Sequence, residues 1–216
     1  MRNRFDNQLA LLDQKLIHMG ELCESAIDAA TKAMEEGNIR QARSVIEMDE
    51  EIDQMEKEIE RLCLKLLLQQ QPVAKDLRRI SAALKMITDM ERIGDQTADI
   101  AEIIVSAPIP EMKEMKDVVE MSSAAGKMVR KSVVAYVNRD LELAKKVKES
   151  DDVVDNLFNQ IRDELITFIA EKGGQDGEEI IDLLMISKYL ERIGDHATNI
   201  AEWVEFSITG VHVGGK

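Results

Sequence analysis

Residues 91–102 read ERIGDQTADIAE and residues 191–202 read ERIGDHATNIAE. A shift of 100 superimposes the two phrases. A shift of 102 superimposes earlier positions: Met19 on Met121, Ala33 on Ala135, Ala42 on Ala144, Val45 on Val147, Asp49 on Asp151 and Asp53 on Asp155. Self-similarity that keeps its order over half a chain is the mark of a duplication, so both halves are expected to fold as the same kind of unit.

The unit is helical. Apolar residues recur at a period near 3.6 over about residues 5–36, 39–71 and 73–106, and again over about 111–137, 140–172 and 178–208. The breaks carry helix-stopping chemistry: Gly37-Asn38, then Pro72, then Pro108 and Pro110 in APIP, and GGQDG at 173–177. With only three prolines and 3% aromatic residues, little in the chain favours sheet. The expectation is an all-α protein of two tandem, sequence-related three-helix bundles, six long helices in pseudo-twofold duplication. Residues 1–107 form the first bundle and 108–216 the second, with APIP as the seam and TGVHVGGK as a frayed tail.

A formal net charge of −14 excludes nonspecific binding to nucleic acid, whose phosphates this surface repels. One Trp, two Tyr and four Phe offer no base-stacking platform. No run approaches the roughly 20 apolar residues of a membrane helix, and the N-terminus lacks the apolar core of a secretory signal. No direct membrane insertion is expected, and the cytoplasm is the expected compartment. Cys23 and Cys63 lack CxxC spacing and read as small buried thiols.

Each half carries two acidic pairs at i, i+4: Asp49/Asp53 with Glu91/Asp95, and Asp151/Asp155 with Glu191/Asp195. Residues so spaced share one helix face about 6 Å apart, and like charges there destabilise a helix. If the second and third helices of a half form an antiparallel hairpin, positions at equal height are symmetric about the turn. Residue 72 is the midpoint of 53 and 91 and of 49 and 95; residue 173 is the midpoint of 155 and 191 and of 151 and 195. Four carboxylates in each half therefore fall at one level, about 30 Å from the turn. Such a cluster is unfavourable unless protonated or neutralised, and a face of oxygen ligands suits hard or borderline divalent cations.

Gly94 and Gly194 each cost a helix about 1 kcal/mol relative to Ala. The return is either close helix approach beside the acidic pair or tight packing against the first helix, where Gly20 and Ser122 are also small. Asp99, Asn199, Glu102 and Glu202 lie further along the same stripe as a second tier of oxygen donors. Gln96 stands where the second copy has His196, so an imidazole is not a shared requirement. Arg92 and Arg192 read as salt-bridge partners of neighbouring carboxylates, and Met86, Met90, Met121 and Met128 as core.

The doubled ERIGD phrase, with MDEEID and SDDVVD upstream in the matching halves, resembles the PhoU family of phosphate-uptake regulators over nearly the whole chain. The resemblance implies two similar three-helix bundles, each with paired E(D)xxxD motifs for a divalent or multinuclear metal cluster. Those motifs fall on Asp49 and Asp53, Glu91 and Asp95, Asp151 and Asp155, and Glu191 and Asp195. Among metals, Fe, Mg, Mn or Zn enter, Zn being least expected of an all-oxygen set. It further implies a homodimeric, non-enzymatic regulator that works with the ATPase-driven phosphate ABC transporter and a phosphate-sensing histidine kinase, restraining uptake and the starvation response. No P-loop, HExxH or nucleophile constellation argues otherwise. Two alternatives remain: a ferritin-like di-metal carboxylate oxidase, and a metal-free helical interaction module. The first needs Glu-x-x-His, where the sequence has Gly94 and Gly194 in place of the histidine.

Overall fold

The computed structural model describes residues 2–70, 72–107, 115–172 and 177–212. Among them are six α-helices and no strand: α1 Arg2–Glu36, α2 Ile39–Gln70, α3 Ala74–Ser106, α4 Met115–Asn138, α5 Leu141–Lys172 and α6 Gly177–Thr209. The all-α duplication expected from the repeat is present. Pro108, Pro110, the expected helix start at Glu111, the 173–176 turn and the last four residues lie outside the described part.

The α1–α2 turn follows from its sequence. Gly37 adopts φ +60, its N–H donates to the Met34 carbonyl at 3.3 Å, and the Asn38 N–H donates to the Ala33 carbonyl at 2.8 Å. Asn38 Oδ1 then accepts from the Gln41 N–H at 3.1 Å and caps α2. The α4–α5 turn repeats this geometry with different residues. Arg139, aligned with Gly37, takes φ +54, and Asp140 caps α5 by accepting from the Leu143 N–H at 2.9 Å. A left-handed arginine carries a Cβ penalty that glycine avoids, so the duplicated fold imposes the turn on a residue poorly suited to it.

α2 packs on α1 and α3, and α5 packs on α4 and α6; the two halves meet through α3 against α6 and α1 against α4. Leu12, Leu16, Met19, Met86, Met90, Ile93, Met121, Val129, Leu183 and Ile193 belong to one buried apolar cluster that runs through both halves. The chain therefore buries a common core, with α2 and α5 as its outer helices. Gly20 serves the junction: a Cβ there would stand 3.1 Å from Val133 Cγ2 on α4.

Polar contacts also cross between the halves: the Tyr136 hydroxyl of α4 donates to the Arg79 carbonyl of α3 at 2.8 Å, and Thr31 and Ser122 share a hydroxyl hydrogen bond. Within the first half, Arg79 forms an ion pair with Asp13 of α1. Cys23 and Cys63 are buried free thiols, and burial pushes both up to about 12, which leaves them unreactive.

Candidate functional site

The acidic pairs face each other across the grooves α2/α3 and α5/α6. In the first half, Asp49, Asp53, Glu91 and Asp95 are all half-buried. The position at which Gly94 would carry a Cβ lies 2.6 Å from Asp49 Oδ1 and 3.2 Å from two carbons of Ile52. In the second half the same construction at Gly194 meets Asp151 Oδ1 at 3.1 Å and Val154 Cγ1 at 3.3 Å. Both glycines thus let the outer helix lay an aspartate against the backbone of its neighbour. Of the two explanations the sequence left open, close approach beside the acidic pair is the one found.

The buried oxygen of each aspartate is unsatisfied. Asp49 Oδ1 and Asp151 Oδ1 are out of contact with solvent and have no hydrogen-bond partner, which is costly for an ionised carboxylate. Burial raises the Asp49 pKa to about 6, helped by the charges of Asp95, Asp53 and Asp99. Burial likewise raises Asp151 to about 6, with Asp155 and Asp195 adding to it. The Thr198 hydroxyl approaches Asp151 and partly offsets that rise, yet its geometry falls short of a full hydrogen bond and its own oxygen is also unpartnered. Glu91 is raised by burial and by Asp95, and Asp195 by partial desolvation and by Glu191 and Asp155. Across the first groove Asp95 acts on Asp49 and Asp53 on Glu91; across the second Asp195 acts on Asp151 and Asp155 on Asp195, and Glu191 joins through Asp195 on its own helix.

These observations fit a cation. Each half offers an all-oxygen donor set, an orphaned buried carboxylate oxygen and a backbone cradle that no Cβ fills. Among the described residues, no three Asp, Glu, His or Cys side chains already converge on one point as a finished cage.

The second-tier residues separate. Asp99 joins the first cluster electrostatically: it raises Asp49, and its own pKa is raised by burial, Glu102 and Asp95 and held down by Arg192 of the other half. Asn199 turns away from the second cluster, its amide donating to Asp89 Oδ1 at 3.2 Å, beside His196 Nδ1 at 2.9 Å from the same oxygen. His196 and Asn199, two of the four places where the ERIGD phrases differ, thus serve the α3/α6 junction. Glu102 is exposed, and Glu202 is half-buried on α6. Arg92 pairs with Asp95 at 2.9 Å and Glu91 at 3.5 Å, whereas Arg192 acts across the junction on Asp99.

Two participants escaped the sequence reading. Glu56, half-buried one turn beyond Asp53, is raised by burial and by Asp53 and in turn raises Glu91. Lys188 forms an ion pair with Glu191 and lies 5.2 Å over the Phe158 ring. Neither position repeats: Phe158 aligns with Glu56 and Thr88 with Lys188, so a search for duplicated charge passes over both.

The PhoU domain model matches residues 16–104 and again 118–204. The chain is 36% identical over 214 residues to a phosphate-specific transport system accessory protein PhoU homolog of Clostridium acetobutylicum, covering 98% of this chain and 97% of the relative. A homolog of the same description from Aquifex aeolicus is 39% identical over 180 residues, 83% of this chain and 81% of the relative. The crystal structure of PhoU from Pseudomonas aeruginosa superimposes with a TM-score of 0.89 at 32% identity, covering 96% of this chain and 100% of that one. The phosphate transport system regulatory protein PhoU from Streptococcus pneumoniae does so with a TM-score of 0.86 at 25% identity, over 97% and 99%. With two copies of the domain, full-length relatives and a shared fold, the chain belongs to the PhoU family.

Proposed function

We propose that this chain is a metal-binding adaptor that negatively regulates phosphate uptake and phosphate-starvation signalling. It acts from the cytoplasm by contacting the phosphate ABC transporter and its sensor histidine kinase. The observation that carries the metal reading is the unpartnered buried oxygen of Asp49 and of Asp151, each laid over a glycine and faced by further carboxylates. Asp49, Asp53, Glu91 and Asp95 would hold a cation in the first half, and Asp151, Asp155, Glu191 and Asp195 in the second. A bound divalent ion supplies positive charge that offsets the repulsion between the outer helix and its neighbour. Fe, Mg and Mn suit the all-oxygen donors, with Zn less favoured.

The transport reading rests on the relatives, which are named as accessory and regulatory proteins of phosphate-specific transport. No described helix is long and apolar enough to cross a membrane, so contact with a transporter would be made from outside the bilayer. The protein's role is binding rather than catalysis, as a homodimer or through its partners. A phosphate-starvation reporter in a clean deletion strain grown in high phosphate is expected to be derepressed, and restored repression by the wild-type chain completes the test. Elemental analysis of chelator-free protein checks the metal separately. Unchanged repression would remove the regulatory reading, and absence of metal under every loading condition would leave a metal-free module.

A further inference from the structure

Lys116, Lys127 and Lys131 stand along one face of α4, since separations of eleven and four residues are close to three turns and one turn. They border an open trough of about 450 Å³ between α4 and α5, floored by Val119, Met128 and Val153. Nearby, Arg130 is paired with Glu24 at 3.6 Å, Lys145 with Glu142 at 2.8 Å and Lys148 with Glu205 at 3.0 Å, whereas Lys146, one turn before Ser150 on α5, forms no ion pair among the described residues. The three trough lysines form no ion pair among the described residues, although the chain has 42 acidic residues against 28 basic ones. One carboxylate, Glu120, also lines the trough.

The duplication supplies an internal comparison. At a shift of 102 the three lysines align with Gln14, Ser25 and Ala29, and Val153 aligns with Glu51. The fold therefore does not need lysine at these places. Val119 and Met128 align with the apolar Ile17 and Ala26, so the second half is set apart by its three lysines and by Val153 in place of Glu51.

We infer that this trough docks a short acidic segment of a partner protein, its carboxylates on the lysine ammoniums and an apolar side chain against Val153. Charge complementarity selects an anionic occupant. The 48% exposure of Val153 selects one with an apolar group, which a free phosphate ion lacks. The surrounding charge of −14 selects a short one, because an extended anionic surface such as a lipid bilayer would be repelled beyond the lysines. Lys116 to Lys131 spans roughly 22 Å of helix, the length of about six or seven extended residues. This inference does not depend on metal binding by the acidic clusters.

The test uses the full chain and a fluorescein-labelled heptapeptide of alternating Glu and Leu, followed by anisotropy at low salt. Lys127→Glu/Lys131→Glu is expected to weaken binding by roughly tenfold or more, and Val153→Asp to weaken it several-fold. Lys65→Glu/Lys75→Glu, on exposed residues of the first half, is expected to change it less than about twofold. Thermal unfolding checks each variant, and Lys127→Gln/Lys131→Gln replaces the charge reversal if that variant does not fold. Equal losses from both lysine pairs, or none from the trough pair, overturn the inference. So does stronger trough-dependent binding to phosphatidylglycerol vesicles than to the peptide, or displacement of the peptide by inorganic phosphate.

Discussion

The two acidic clusters share a framework and differ in what surrounds it. The first is sunk between its helices: Asp49, Asp53, Glu91 and Asp95 are half-buried, with Glu56 and Asp99 crowding in, Arg92 on Asp95 and Lys57 on Asp53 at 3.2 Å. The second is shallower, with Asp155 and Asp195 exposed, Lys188 on Glu191, and Thr198 beside Asp151. Duplication kept eight carboxylates and both glycines while the periphery diverged. With Glu56 and Asp99 added to its four carboxylates against Arg92 and Lys57, where the second cluster sets four against Lys188, the first keeps the larger excess of negative charge and gains more from a cation.

The sharpest way to break that comparison is to remove one cluster at a time. Asp49→Ala/Asp53→Ala should abolish metal in the first half only, and Asp151→Ala/Asp155→Ala in the second only, read by elemental analysis of loaded protein. Loss of all metal from either variant would mean the clusters are not separate sites. Next come the glycines. Gly94→Ala gains about 1 kcal/mol of helix propensity but drives a Cβ to 2.6 Å from Asp49 Oδ1 and 3.2 Å from Ile52. A net loss of about 1–2 kcal/mol is expected in denaturant unfolding. At Gly194 the nearest atoms are 3.1 and 3.3 Å away, so Gly194→Ala should fall within about 0.5 kcal/mol of wild type. Equal costs would contradict the difference in depth.

The α1–α2 and α4–α5 turns offer a third comparison. Arg139→Gly should stabilise the second turn by roughly 0.5–1 kcal/mol, because it relieves the left-handed residue that the first turn already fills with Gly37. Proton linkage gives a fourth. Asp49 and Asp151 titrate near 6, above the ordinary carboxylate range, so the folded state binds more protons than the unfolded one. The resulting stability is present at low pH and lost as pH rises through about 6. Metal-free protein should melt a few degrees higher near pH 5 than near pH 7.5, and Asp49→Asn/Asp151→Asn should flatten that slope. The smallest effect concerns Asp99: Asp99→Asn should weaken cation binding in the first half by about two- to fivefold, leaving the second unchanged, as isothermal titration would show.

Much of this was legible in the sequence because the determining signals are local or symmetric. Apolar period, Gly37 and Pro72 mark the elements, and the midpoint arithmetic at residue 72 puts Asp49 level with Asp95. What escaped was set by tertiary contact. Asn138-Arg139-Asp140 lacks a glycine, so nothing local announces its left-handed turn. His196 and Asn199 resemble site variants beside Asp195, but their partner is Asp89, over a hundred residues away and on the other half. Glu56 and Lys188 join the clusters through groove packing that repetition does not signal.

The helices that carry these clusters run from 32 to 33 residues in α2, α3, α5 and α6, about 50 Å of stiff rod each. The first cluster sits about 30 Å below the Pro72 turn, where Leu68, Val73 and Leu77 are exposed at 83%, 66% and 45%. Such a rod acts as a lever with its fulcrum at the carboxylates. A tilt of about 5° between α2 and α3 there would sweep that apolar tip through roughly 2.5 Å, half the width of a side chain. A change in charge in the groove that produced such a tilt would be felt as a displacement at the far end of the hairpin.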